Sequence, residues 1–352
     1  LNTFNPQAYQ EPAGDSKLST WRESLRYDPV KHLLFSGSDA IRFYAKRDLL
    51  GEDGGSVRIL WELAEPRRLL RNQRSDGSWS VTGKNPEKFP DVKYGLIETF
   101  KRLRVLVGKF ELDKTHLAIE TAVEYVFTCQ TEEGDFRGFY VDQYVPHYTG
   151  LIVELLTKAG YGGDARVVKA INWLVKVRQR DGGWTYPGLT EKLSWEEGVY
   201  ISSHHAETLR FDPSLPFSHS ITGMALRALA CHPDYVHTEE ATNAGELLAS
   251  RFFQPDLYKS YKAADYWVRF QYPFWWNNLV MALDSLSRIG FTSDHHKIRK
   301  GLTWLVDHQS MDGHWENSYR DSAKNIETEK AEEDRLWVTL AICRVFQRLR
   351  KG

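Results

Sequence analysis

Two groups of residues in this chain have types and spacing suited to chemistry. The first is a carboxylate cluster, Glu329, Glu332, Glu333 and Asp334, standing before an apolar stretch that reads as the last helix. A helix N-terminus favours the ionised form of a carboxyl, so Asp334, with Glu333 beside it, would be a stronger acid there than in water. The same residues could instead cap the helix and be solvated. The second group is aromatic: 12 Trp, 17 Tyr and 17 Phe make up 13% of 352 residues. Rings can hold a cation against their π faces or stack on sugar rings. Cys231, His232, Asp234 and His237 are metal-ligand types, but their spacing matches no zinc signature and none is assigned to a metal.

The elements that must position these residues come from an internal repeat. Four segments carry an amphipathic helix, then Gln, a short turn with Gly, and an aromatic: Gln73 to Trp79, Gln130 to Phe136, Gln179 to Trp184 and Gln309 to Trp315. A degenerate fifth copy ends at Gln254. A second, more apolar helix follows each copy, at about Val92–Val107, Pro146–Ala159, Ser218–Ala230, Pro273–Ile289 and Asp334–Leu349, with an earlier member at Ser38–Leu50. Alternation of amphipathic and nearly all-apolar helices predicts two concentric layers, apolar helices inside. The motif's Gly supplies the turn, its Gln ties backbone groups at helix ends, and its aromatic covers them. These residues therefore read as girders rather than catalysts.

Links from a motif aromatic to the next inner helix are long, and the reverse links are short. The long ones gather at the end where the inner helices begin, which predicts the binding face. Alignment of the inner helices puts Arg42, Tyr44, Tyr94, His147, Tyr148, His219, Phe274, Trp275, Trp276, Asn277, Asn278, Arg335 and Trp337 in their first turns. We expect an aromatic-lined cavity there with sparse polar groups, His219 serving as a further catalytic candidate. An aromatic core plug is the alternative.

The repeat resembles the QW motif of the terpenoid cyclase and protein prenyltransferase superfamily, over roughly residues 38–350. The resemblance implies an all-α, α/α toroid (an α6–α6 barrel) and an isoprenoid substrate bound, cyclised or otherwise transformed. The family's cyclases protonate an alkene with an Asp-x-Asp-Asp motif, which this sequence lacks; Asp334 is the carboxyl nearest the corresponding place. The Gly182-Gly183-Trp184 segment is also similar to toroidal pectate lyases, which implies a carbohydrate enzyme with Arg42, Arg47 and Asp48 recruited to its site. A non-catalytic interaction protein on the same fold is the third reading. The pectate-lyase resemblance implies calcium held by carboxylates; the sequence otherwise leaves the cofactor unknown.

Composition narrows the class. Lys+Arg is 46 and Asp+Glu 47, a formal charge of -1, which argues against general nucleic-acid binding. Three cysteines far apart suit a reducing, cytoplasmic setting. No apolar run reaches the roughly 20 residues of a membrane span, so any membrane contact would be peripheral. Residues 1–37 are expected to be an extension packing on the barrel, and 38–350 one toroid domain.

Overall fold

The computed structural model describes residues 21–80, 88–258, 266–317 and 328–349. The first part of the expected extension, residues 1–20, and parts of three long links lie outside the described residues. In chain order the helices are α1 (Val30–Leu34), α2 (Asp39–Tyr44, continued by a π turn Ala45–Leu50), α3 (Ala64–Arg71), α4 (Tyr94–Leu106) and α5 (Leu117–Phe127). Next come α6 (Pro146–Leu156, with a π turn Thr157–Tyr161), α7 (Ala165–Lys176), α8 (Pro187–Thr190), α9 (Trp195–Ser203) and α10 (His219–Cys231). The chain ends with α11 (Glu239–Ser250), α12 (Leu279–Arg288), α13 (His296–Asp307) and α14 (Glu329–Leu349). The starts follow local chemistry. Asp164, Ser218, Thr238 and Asn278 each accept a backbone N–H from the first turn of their helix, and Pro146 opens α6 where no N–H is needed.

The fold is an α/α toroid. Helices α4, α6, α10, α12, α14 and α2 contact one another in that order, and they form the inner ring. Every residue of α6 is buried, as an inner helix covered on all sides requires. Around them α3, α5, α7, α11 and α13 pack on the outside, and α1 packs on α2. Among the described residues there is no strand, only two isolated bridges inside motif turns. No helix among them is long and apolar enough to cross a membrane.

The motif residues tie each repeat to the next. The Gln73 amide donates to the carbonyl of Gly77 in its own turn (3.0 Å) and to that of Ala118 in α5 (2.8 Å). Gln130 does the same with Gly134 and with Arg166 of α7. Gln309 closes the ring: it donates to Gly313 and Tyr27, and accepts from the amides of Arg26 and Tyr27. Trp79, Trp184 and Trp315 each donate an indole N–H to the carbonyl ten residues earlier, Leu69, Leu174 and Leu305. Inner-helix threonines receive the backbone N–H of the motif aromatic, Thr149 from Phe136, Thr222 from Trp184 and Thr339 from Trp315. Gly77 is obligatory in its turn: φ is +85°, and a Cβ would stand 2.1 Å from the Thr121 carbonyl oxygen. The fifth copy keeps part of this device. Trp267, thirteen residues beyond Gln254, donates its indole N–H to the Gln254 carbonyl.

Two inner helices begin elsewhere than expected. Helix α12 starts at Leu279, so Phe274, Trp275, Trp276 and Asn277 form an irregular segment before it, and Asn278 is its cap. Helix α14 starts at Glu329, so Asp334 sits in its second turn and does not open it.

Candidate active site

The predicted site residues fall into three clusters at the aromatic end, and one segment touches all three. In the first, Trp337 of α14 is fully buried, stacks on Tyr272 at 4.9 Å and meets Tyr44 edge-on at 5.7 Å. Its indole donates to Glu333, which also accepts from Ser38 and pairs with Lys109 at 3.1 Å. Burial alone would raise the Glu333 carboxyl, but the Trp337 hydrogen bond and Lys109 hold it below the ordinary value. Tyr44 donates its hydroxyl to the Lys109 carbonyl, and the guanidiniums of Arg47 and Arg344 each lie 4.8 Å from its ring centroid. Burial puts the Tyr44 hydroxyl far above its usual pKa.

Asp334 belongs to this cluster. It is half-buried, and its pKa is pushed up to about 6 by burial, against the pull of Lys330 and Lys109. This corrects the expectation of an acid strengthened by a helix N-terminus. One turn into the helix the dipole has faded, and desolvation of the charged form dominates.

The second cluster is built of rings. Tyr148 stacks on Phe139 at 3.9 Å and lies 4.5 Å from His147 and 6.4 Å from Trp275. Phe100 meets Trp275 at 5.4 Å, and Trp275 stacks on Trp276 at 5.8 Å. In the third cluster, buried His219 stacks on Trp267 and places Nδ1 3.5 Å from an Asp256 oxygen. Burial would raise Asp256, but His219, the Ser220 amide and the Ser218 hydroxyl bring it below the usual range. Asn277 donates to the His219 carbonyl and lies directly on Gly223, where a Cβ would stand 2.1 Å from its side-chain oxygen.

Two predicted residues stand apart. Arg42 pairs with Asp39 and donates to the Ser36 carbonyl on the helix surface. Arg335 pairs with Asp312, Glu316 and Glu332 and so braces the fourth motif turn. Arg47 and Asp48, candidates for a carbohydrate site, are locked to Glu111 and Arg344. Among the described residues the rings rest on one another, and the void beside Trp275, Trp276, Asn277 and Asn278 is about 10 Å³. A larger groove of about 520 Å³ is a surface trough along outer helix α7, lined in part by Glu133, Lys169 and Trp173. It lies outside the barrel and away from all three clusters.

Sequence reasoning missed Lys109, Tyr272, Phe100 and Phe139. Tyr272 had a usable signal, because Asn278 before Leu279-Val280 is a cap signature that leaves Tyr272–Asn277 outside the helix. The others sit inside apolar helices or in links, with no local mark.

Residues 98–197, which span the second and third motif copies, match the family model of the squalene-hopene cyclase C-terminal domain. Over that segment the chain is similar to terpenoid cyclases. No curated protein sequence matches it. Among solved structures, a protein from Actinoplanes is similar at 16% identity over 84% of this chain and 87% of its own, with a TM-score of 0.43. The type II terpene cyclase MstE from Scytonema, in complex with geranylgeranyl dihydroxybenzoate, is similar at 11% identity over 92% of this chain and 99% of its own, with a TM-score of 0.35. Its complex with merosterolic acid A gives a TM-score of 0.34 at 11% identity, over the same 92% and 99%.

Proposed function

We propose that this terpenoid-cyclase-like chain binds an isoprenoid at the aromatic end of its barrel and transforms it, with Asp334 as the proton donor. The observation that carries the reading is Asp334 itself, a half-buried carboxyl raised to about 6 whose charge is felt by Tyr272, beside the stacked Tyr272–Trp337 pair. Such a group holds its proton below about pH 6 and keeps a minor protonated fraction near neutral pH, while the rings around it offer π faces to the positive charge that results. An acid of this strength fits an oxygen or an electron-rich double bond as acceptor better than an unactivated alkene. The proton moves from the Asp334 carboxyl to the acceptor, the cation is quenched by a further double bond, and loss of a proton ends the sequence.

Incubation with geranylgeraniol, its terminal epoxide and 2,3-oxidosqualene, followed by mass-spectrometric product analysis, tests this. A cyclic product that disappears in Asp334→Asn is expected. Absence of binding and turnover with all three would overturn the reading. The packed rings and the void of about 10 Å³ favour a second reading, a non-catalytic protein whose rings are a core plug. It expects no ligand at all, whereas the first requires the rings to part. In the first reading the protein works in the cytoplasm, in keeping with its free cysteines. Exposed Trp195 and Tyr200 on α9 would make any peripheral membrane contact.

A further inference from the structure

Among the described residues, the barrel interior holds a cation with no carboxylate in ion-pair contact. Arg104 of α4 lies 4.5 Å from the Trp275 ring centroid and 5.9 Å from that of Phe100. Among the described residues no carboxylate lies within ion-pair distance of it, and it donates to the Pro273 carbonyl. Burial, with Arg227 nearby, lowers its pKa to about 9, a large cost for a guanidinium. Arg227 of α10 donates to the Trp275 carbonyl at 3.2 Å and pairs with Glu154 at 2.7 Å. Glu154 is also held by Lys158, which reaches solvent. Two guanidiniums, from the two inner helices that flank α6, thus converge on two carbonyls of one irregular segment. Glu154 offsets one of them, and one buried positive charge is left over.

We propose that Arg104 and Arg227 form a binding site for a carboxylate carried on an apolar chain, and that Pro273–Trp275 is an internal plug whose carbonyls fill this site until the ligand displaces them. A carboxylate has two oxygens in the plane that a guanidinium fork matches, and charge-assisted bonds are about twice as strong as those to a neutral carbonyl. The exchange also neutralises Arg104. A single surplus charge fits a monoanion, whereas the extra charges of a diphosphate would face Glu154. Phe100, Tyr148 and the displaced face of Trp275 would line the apolar chain. The chain's isoprenoid nature rests on the function proposed above, but the anion site does not.

Calorimetric titration of the full chain at pH 7.5 with farnesoic acid, farnesol, farnesyl diphosphate and palmitate tests the site. Farnesoic acid should bind at least tenfold more tightly than farnesol and more tightly than the diphosphate. Arg104→Gln should abolish the acid preference and leave farnesol affinity within twofold. Removing an unpaired buried cation should not unfold the barrel. Should that variant misfold, Arg104→Lys carries the test, and it should lose at least threefold of the preference along with the fork. Acid and alcohol binding alike, or an acid preference indifferent to Arg104, would overturn the site and leave the isoprenoid reading standing. Arg104-dependent binding of palmitate alone would support the site and overturn the isoprenoid chain. Tightest binding of the diphosphate would overturn the monoanion assignment, and binding of none would overturn both proposals.

Discussion

Replacing Asp334 by Asn should make the protein more stable at neutral pH while abolishing turnover. The folded carboxyl titrates at about 6 against an ordinary 3.8, because burial penalises its charged form. That gap corresponds to about 3 kcal/mol if the group were wholly enclosed, at about 1.4 kcal/mol per pH unit. Water reaches the half-buried carboxyl, so about 1–2 kcal/mol is the realistic share. The sign follows from proton binding. Between pH 3.8 and 6 the native state holds more protons at this position than the unfolded chain, so the wild type gains stability as pH falls through that window. Above it both states are ionised and the native state carries the full cost. Asparagine is neutral throughout. Urea denaturation at pH 7.5 should therefore place Asp334→Asn about 1–2 kcal/mol above wild type. At pH 4.5 that advantage should shrink by more than half. A variant less stable than wild type at pH 7.5, or an advantage independent of pH, would refute the assignment of burial as the cause.

Trp184→Ala should cost about 3–5 kcal/mol, since it empties a fully buried indole site and orphans the Leu174 carbonyl; chemical denaturation reads the loss, and ligand binding by the folded fraction should persist. Asp284→Asn should cost about 3–5 kcal/mol because it leaves Arg288 and Arg348 without their shared carboxylate. Burial would raise Asp284, but the two arginines hold it far below the ordinary 3.8. Its contribution should therefore be present above about pH 4 and be lost only as pH falls below that, so the wild-type and variant stabilities should converge in strong acid. Gly223→Ala should disturb the third cluster, because the new methyl would overlap the Asn277 side chain. A drop in melting temperature of several degrees, relieved by pairing it with Asn277→Gly, is the expected result.

The layers and the motif were legible because they rest on periodicity and turn chemistry, which act within a few residues. Gln73, Gln130 and Gln309 each bond their own turn and the next repeat, and a spacing that recurs four times is visible without coordinates. The interior was legible only as a list of rings. Whether Trp275 lines a space or fills it depends on Phe100, Arg104 and Arg227, which come from two other helices. The helix starts carried an error of about five residues, and at Asp334 that error reversed the inferred direction of the pKa shift. Arg335 was misplaced for a related reason: alignment by turn ignored which side of α14 faces the fourth motif, where Asp312 and Glu316 take its guanidinium.

The division of labour between the layers explains why the interior can hold such costly groups. Indole donors, glutamine bridges and threonine acceptors satisfy the backbone where one repeat meets the next, and they do so with buried, well-packed side chains. The inner ring can then carry an unpaired Arg104, a raised Asp334 and a segment without regular structure across its mouth. None of these stabilises a barrel: each lowers stability locally by desolvation or by loss of regular hydrogen bonding. A chain selected only for a solid core would have aliphatic side chains at these places, as at Leu151–Val153 of α6 and Leu279–Val280 of α12. Strain of this kind gathered around one irregular segment, with the girders intact, is the pattern expected when a fold holds polar groups ready for a ligand. It is the reason to test the aromatic end for a ligand before reading its packed rings as inert.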